Sequence, residues 1–308
     1  MINFRYHIVS LMAVFIALSV GIAVGVSLSP SVDQGLLQQA AQDRKQVTDL
    51  RAELDRRKAL DDYRNAYDEQ VGATVTAGVL NGQHVALVSM PDAPADVQRS
   101  VSTAVTGAGG TVVREVKVNA EAFDPARAED VGDALSDYFG PLGLNDTMSP
   151  ATRLGVALGR SIGSKEAEDR DALALAVGES LESRGLVTIS KGSPAQAQLI
   201  IVVTAPASDP RPTPEELTAH VQFQVGLTTR SAVVLAGPNS EGIEGTDVLT
   251  ARSDPTAVDS LSTVDVADLS SGVTTVVLAG KERLLGRPAG HYGALAKADA
   301  PLPELPVR

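Results

Sequence analysis

Hydrophobic and polar positions change their rhythm three times along the chain. From Ile8 to Leu28 no residue is charged, a run of 21 positions. At ~1.5 Å rise per residue, a helix of that length is ~30 Å long, the depth of a bilayer's hydrocarbon core. Within it Ala13, Ala17, Gly21 and Gly25 recur at every fourth position. They share one helix face, and small side chains on such a face let two helices approach closely in lipid. Arg5 precedes the run, whereas the first acid and the first base after it are Asp33 and Arg44. That bias places the N-terminus in the cytoplasm and the chain from Pro30 onward outside. The run exceeds the ~7–15 apolar residues of a signal peptide, and Ser27-Leu28-Ser29 is a poor cleavage site. The segment is therefore expected to stay as a membrane anchor.

The second rhythm runs from Asp33 to Val71, a stretch without proline, with Gly35 and Gly72 near its edges. Leu36, Ala40, Asp43, Val47, Leu50, Leu54 and Arg57 follow alternating four- and three-residue steps, the spacing of a heptad seam. Asp43 and Arg57 interrupt it. Leu60, Tyr63, Tyr67 and Val71 form a second seam offset by three residues, as a stammer would be. The pattern predicts a helical coiled-coil stalk, with Leu36, Val47, Leu50 and Leu54 as its partner-binding positions. A helix packed on its own domain would show the same pattern.

The third rhythm consists of short continuous apolar runs at His84–Val88, Thr111–Val113, Leu199–Val203 and Ala232–Ala236. Runs of Val, Ile and Leu at this length suit strands buried on both faces, as in a parallel sheet. Asp124-Pro125, Ser149-Pro150, Thr213-Pro214 and Asp254-Pro255 each set a capping side chain before a proline at the first helical position. Glu216 completes a capping box with Thr213. The alternation predicts an α/β fold, a Rossmann-like three-layer domain with a mostly parallel sheet of four or five strands. The chain thus divides into an anchor (1–29), a stalk (30–72), an α/β domain (73–293) that is mainly helical over 124–184, and a proline-rich tail (294–308).

Composition narrows the function. The formal charge of −12 among 308 residues opposes nucleic-acid binding. Aromatic residues are 3% of the chain, too few for the girdles of a membrane β-barrel. No cysteine is present, which removes the ligands soft metals prefer. Met1, Met12, Met90 and Met148 are far apart in the sequence, as are His7, His84, His220 and His291. His220 lies beside the apolar face of Leu217, Val221 and Val225, and all four histidines read as structural, with no metal site. Gly107-Ala108-Gly109-Gly110 reads as a helix stop. Gly237-Pro238-Asn239 and Gly280-Lys281 lack the rest of a phosphate loop, so no nucleotide cofactor is expected. No catalytic motif is present, and the chain does not read as an enzyme. The loop Ala205–Pro214, with four prolines, follows a core strand. It reads as a stiff connector, or else as a partner-binding surface.

Three segments carry a family resemblance: the opening MINFRYHIVSLMAVFIALSVGIAVGVSL, then LNGQHVALVSMPDA, and STVDVADLSSGVTTVVLAGKERLLGRPAGHYG near the end. Together they resemble the actinobacterial MctB family, labelled copper transporter, which includes the cell-separation factor SteB. Asp265 and Gly290-His291-Tyr292-Gly293 are the most specific positions, without an assigned role. The resemblance implies two functions. One is copper export and homeostasis, with an outer-membrane location. The other is control of a peptidoglycan hydrolase, or of its coiled coil, together with a SteA-like membrane partner. Anchor, stalk and rigid head fit the second, so the expectation is a single-pass plasma-membrane protein of cell separation that can also form a homodimer. Copper homeostasis is the alternative.

Overall fold

The computed structural model describes residues 4–190, 192–208, 210–240 and 245–304, with side chains apart from those of 4–5 and 26–37. The chain divides into two compact units, Met1–Arg64 and Asn65–Arg308. The described part of the first is helical throughout. Its helix, α1, spans Phe4–Thr76, so Gly35 and Gly72 lie inside the helix rather than ending it. Gly72, in the second unit, is there for a reason of space, since a Cβ on it would lie 2.1 Å from Thr274 Oγ1.

The second unit is built on one seven-stranded sheet. Its strands are β1 (His84–Ser89), β2 (Thr111–Val118), β3 (Val187–Ile189), β4 (Leu199–Val203), β5 (Ala232–Ala236), β6 (Ser262–Val264) and β7 (His291–Tyr292). The order is β3-β2-β1-β4-β5-β6-β7, with every pairing parallel except β2 with β3. Seven strands replace the expected four or five. The additional ones, β3, β6 and β7, are three residues long or shorter and too brief to form an apolar run. β2 also continues past Val113, because Arg114–Val118 alternates between buried and exposed positions rather than staying apolar.

Helices cover both faces, as the buried strands require. Val85, Leu87, Leu199, Ile201 and Val203 join one core with α2 (Ala95–Gly107) and α9 (Ser270–Leu284). Their neighbours Ala86, Val88, Ile200 and Val202 join the other. There they meet α3 (Ala128–Leu135), α5 (Pro150–Ile162), α6 (Ala172–Ser183), α7 (Pro214–Leu227) and α8 (Asp247–Ala251); the short α4 (Phe139–Leu142) lies at this core's margin. Successive strand residues thus enter different cores, which makes the three layers.

The caps largely act as expected. Ser149 accepts from the Thr152 N–H at 3.1 Å, and Thr213 forms the complete capping box with Glu216. Asp124 starts only a short 3₁₀ turn. Asp254-Pro255 opens no helix: the Asp254 carboxylate accepts from the N–H groups of Thr256 and Ala257, closing a turn.

Candidate functional site

Three regions were singled out by the sequence, and the structure treats them differently. In the anchor, Tyr6–Gly25 has a mean hydropathy of 2.5 and none of it is buried. Ala13, Ala17, Gly21 and Gly25 are all exposed, and a Cβ added to either glycine would meet nothing within 4 Å. In the stalk, Val47, Leu50 and Leu54 are 46%, 56% and 64% exposed. Leu36 has its side chain outside those described. Glu53 holds Arg56 and Arg57 at 3.0 Å each, and these charges pull the Glu53 carboxyl below its ordinary range. Such exposed pairs contribute little stability. The large apolar side chains beside them stay open to solvent.

The Asp265 and Gly290–Gly293 positions are brought together, but around a buried lock rather than an open site. Asp265 directly follows β6 and Arg252 directly follows α8, and their side chains pair at 2.6 Å with almost no exposure. Arg252 donates from Nε to Thr263 Oγ1 (2.8 Å) and from Nη2 to the Tyr292 carbonyl (2.8 Å), while the Nη1 that holds Asp265 also reaches the Ala296 carbonyl (3.3 Å). Asp265 in turn accepts from the N–H groups of Ala294 and Leu295. Gly293 has φ +129°, and a Cβ there would lie 2.1 Å from Asp265 Oδ1, so no other residue fits.

His291 extends the same network. Its Nε2 faces the Val258 carbonyl at 3.2 Å, an acceptor only, so Nε2 carries the proton. Nδ1 then accepts from the Thr263 hydroxyl at 3.0 Å, whose oxygen also accepts from Arg252. Burial lowers the His291 pKa, against the opposing pull of Asp299, and this favours the neutral ring the network needs. The Tyr292 hydroxyl donates to Glu282, and burial followed by that bond raises its pKa. Every polar atom of the lock has a partner. The arrangement holds the chain's last segment in place and offers no open position to a substrate.

An open site exists elsewhere. Between β1 and β4 the strand order reverses, and in open α/β sheets ligands enter at the carboxyl ends of strands flanking that point. A cavity of about 580 Å³ lies there. Pro91 and Asp92 after β1, Ala205 and Pro206 after β4, and His220 on α7 line it, as do Phe123, Arg211 and Asp247. The prolines of the loop after β4 thus form one wall. His220 Nδ1 lies 2.9 Å from Asp247 Oδ1, and Gln224 donates to Asp247 Oδ2 at 2.7 Å. The Phe123 ring meets the His220 ring edge-on, with centroids 4.4 Å apart.

His220, read from the sequence as a structural histidine, is thus paired with a carboxylate on the cavity's edge. Its partner is 27 positions away at the start of α8, a separation at which no local sequence pattern signals a pairing. Among the described residues, no group of three or more His, Cys, Asp or Glu is arranged to hold a metal ion.

Residues 1–303 match the family described as "Copper transport outer membrane protein, MctB". Copper transporter MctB of Mycobacterium tuberculosis (strain ATCC 25618 / H37Rv) is 30% identical over 309 residues, covering 95% of this chain and 96% of the relative. The protein of the same name from Mycobacterium leprae (strain TN) is 28% identical over 306 residues, with the same coverage.

Proposed function

The chain belongs to the MctB family, and from that premise we propose that it is a single-pass, membrane-anchored envelope protein that serves copper homeostasis by docking other proteins, not by conducting the metal itself. The observation that carries this reading is that, among the described residues, one helix, Tyr6–Gly25, is long and apolar enough to cross a membrane, with none of its surface buried. One helix satisfies its own backbone hydrogen bonds in lipid, but it encloses no path. The sheet gives no path either. Its described strands form one open, mostly parallel layer with apolar residues toward helices on both sides, not a closed ring facing lipid. In this reading the N-terminus is cytoplasmic, the α/β unit lies outside, and the chain works without catalysis. The copper process is supported by the names of both relatives, each a copper transporter.

The exposed residues Val47, Leu50 and Leu54 favour a second reading, in which the stalk docks a SteA-like membrane partner and governs a peptidoglycan hydrolase during cell separation. Deleting the gene separates the two. Loss of growth at copper concentrations the parent tolerates, with normal separation, supports the first. Chained cells with unchanged copper tolerance transfer the function to the second, and a deletion without either phenotype overturns both.

Both readings need the stalk as a contact surface. Leu50→Asp with Leu54→Asp places two charges in any helix–helix contact, where desolvating them is costly. The double variant is expected to lose in-cell crosslinking from stalk positions and to fail to complement the deletion, while its thermal unfolding is unchanged. Normal crosslinking and complementation would show those leucines to be a solvated face.

A further inference from the structure

We infer that the cavity at the carboxyl ends of β1 and β4 is a binding site for an organic cation, an alkyl chain ending in an ammonium group. Such a site is separate from the anchoring and docking role. Its volume, about 580 Å³, falls within the ~300–1,000 Å³ of small-molecule pockets. Five carboxylates line it (Asp92, Glu121, Asp124, Glu216 and Asp247) against one guanidinium, that of Arg211. An anion is repelled by this balance. A bare metal ion lacks a ligand set among the described residues. Pro206, Pro210, Pro212 and Phe123 supply apolar wall for a hydrocarbon stem, and the carboxylates supply acceptors for its charged end.

His220 adds direction. The Asp247 carboxylate can only accept, so the His220 proton facing it sits on Nδ1. When the ring is uncharged, that tautomer leaves Nε2 as a lone-pair acceptor on a residue that lines the cavity. The Asp92 and Glu121 carboxylates, both on exposed residues, have no side-chain partner among the described residues. Asp92 also holds φ +59°, a left-handed conformation uncommon outside glycine. Behind the lining, Gln224, which donates to Asp247, is itself fully buried, so the Asp247 carboxylate is held in place from inside. A site whose acceptors exceed its donors is complementary to a donor-rich cation.

The test is calorimetric titration of the detergent-solubilised full chain with three probes: cadaverine, N-acetyl-lysine amide, and glutarate as an anion of similar length. Saturable binding of an amine but not of glutarate is expected. Cadaverine alone would point to a free amine, and the lysine derivative to a peptide-borne one; either supports the site. Glu121→Gln with Asp124→Asn keeps the Asp124 turn contact available and should weaken amine binding about tenfold, as neutralising two screened carboxylates would. His220→Asn retains a donor toward Asp247 and removes the Nε2 acceptor, and should weaken it further at unchanged thermal stability. Absence of saturable amine binding, equal binding of glutarate, or unchanged amine affinity in both variants overturns the inference.

Discussion

His220 and His291 both hold an oxygen at Nδ1, yet the two rings are used differently. At His291 both ring nitrogens are engaged, in a chain of bonds that runs from Arg252 through Thr263 and the ring to the Val258 carbonyl. At His220 the bonds stop at one nitrogen, and the ring borders a cavity. A closed network specifies a conformation, because each member lost leaves another buried group unpaired. An open one holds a side chain ready and keeps one valence for something else. Asp265 and Gly290–Gly293, the positions singled out by the resemblance, belong to the closed network. Specificity of a motif is therefore not, by itself, a sign of chemistry.

The comparison breaks first at Asp265. Asp265→Ala leaves the Arg252 guanidinium buried without its counter-charge and should cost about 3–5 kcal/mol, measured by urea unfolding. A loss below about 1 kcal/mol would mean that the lock does not hold the segment. Next, Gly293→Ala forces a side chain onto Asp265 at a φ that side chains rarely adopt. About 1–3 kcal/mol should be lost, with the far-UV spectrum unchanged.

Acid sharpens the contrast. His291 has a lowered pKa when folded, so the unfolded chain binds the additional proton. Its contribution is complete above the ordinary histidine pKa of about 6.5 and is lost as pH falls from there toward the folded value. Unfolding midpoints measured from pH 8 down to pH 5 should decline, and His291→Gln should remove that part of the decline. A variant with the same slope as the parent would assign the effect to other groups. The smallest change is expected at His220→Asn, within about 0.5 kcal/mol, because Asp247 keeps both a Gln224 bond and an amide donor. A loss as large as that at Asp265 would erase the distinction between lock and cavity.

Much of the architecture was legible in the chain. β1, β4 and β5 announce themselves because both faces are buried, and an uninterrupted Val/Ile/Leu run leaves few alternatives. β6 and β7 do not, since three and two residues carry no period. Asp254-Pro255 looked like a helix start because capping and turn formation use the same side-chain bond, and only the residues beyond the proline decide between them. Asp265 and His291 could be located by resemblance, while their role depended on Arg252, whose side chain no local pattern singles out. The anchor face of Ala13, Ala17, Gly21 and Gly25 is as open in the structure as its spacing allows.

The lock also sets a condition on how the protein comes into being. Arg252 and Asp265, besides pairing with each other, are held by backbone groups of Tyr292, Ala294, Leu295 and Ala296. A polypeptide cut short after Arg287 retains most of its sheet but bears a guanidinium and a carboxylate stripped of those backbone contacts. A chain cut there is therefore expected to be digested by a protease under native conditions faster than the intact protein.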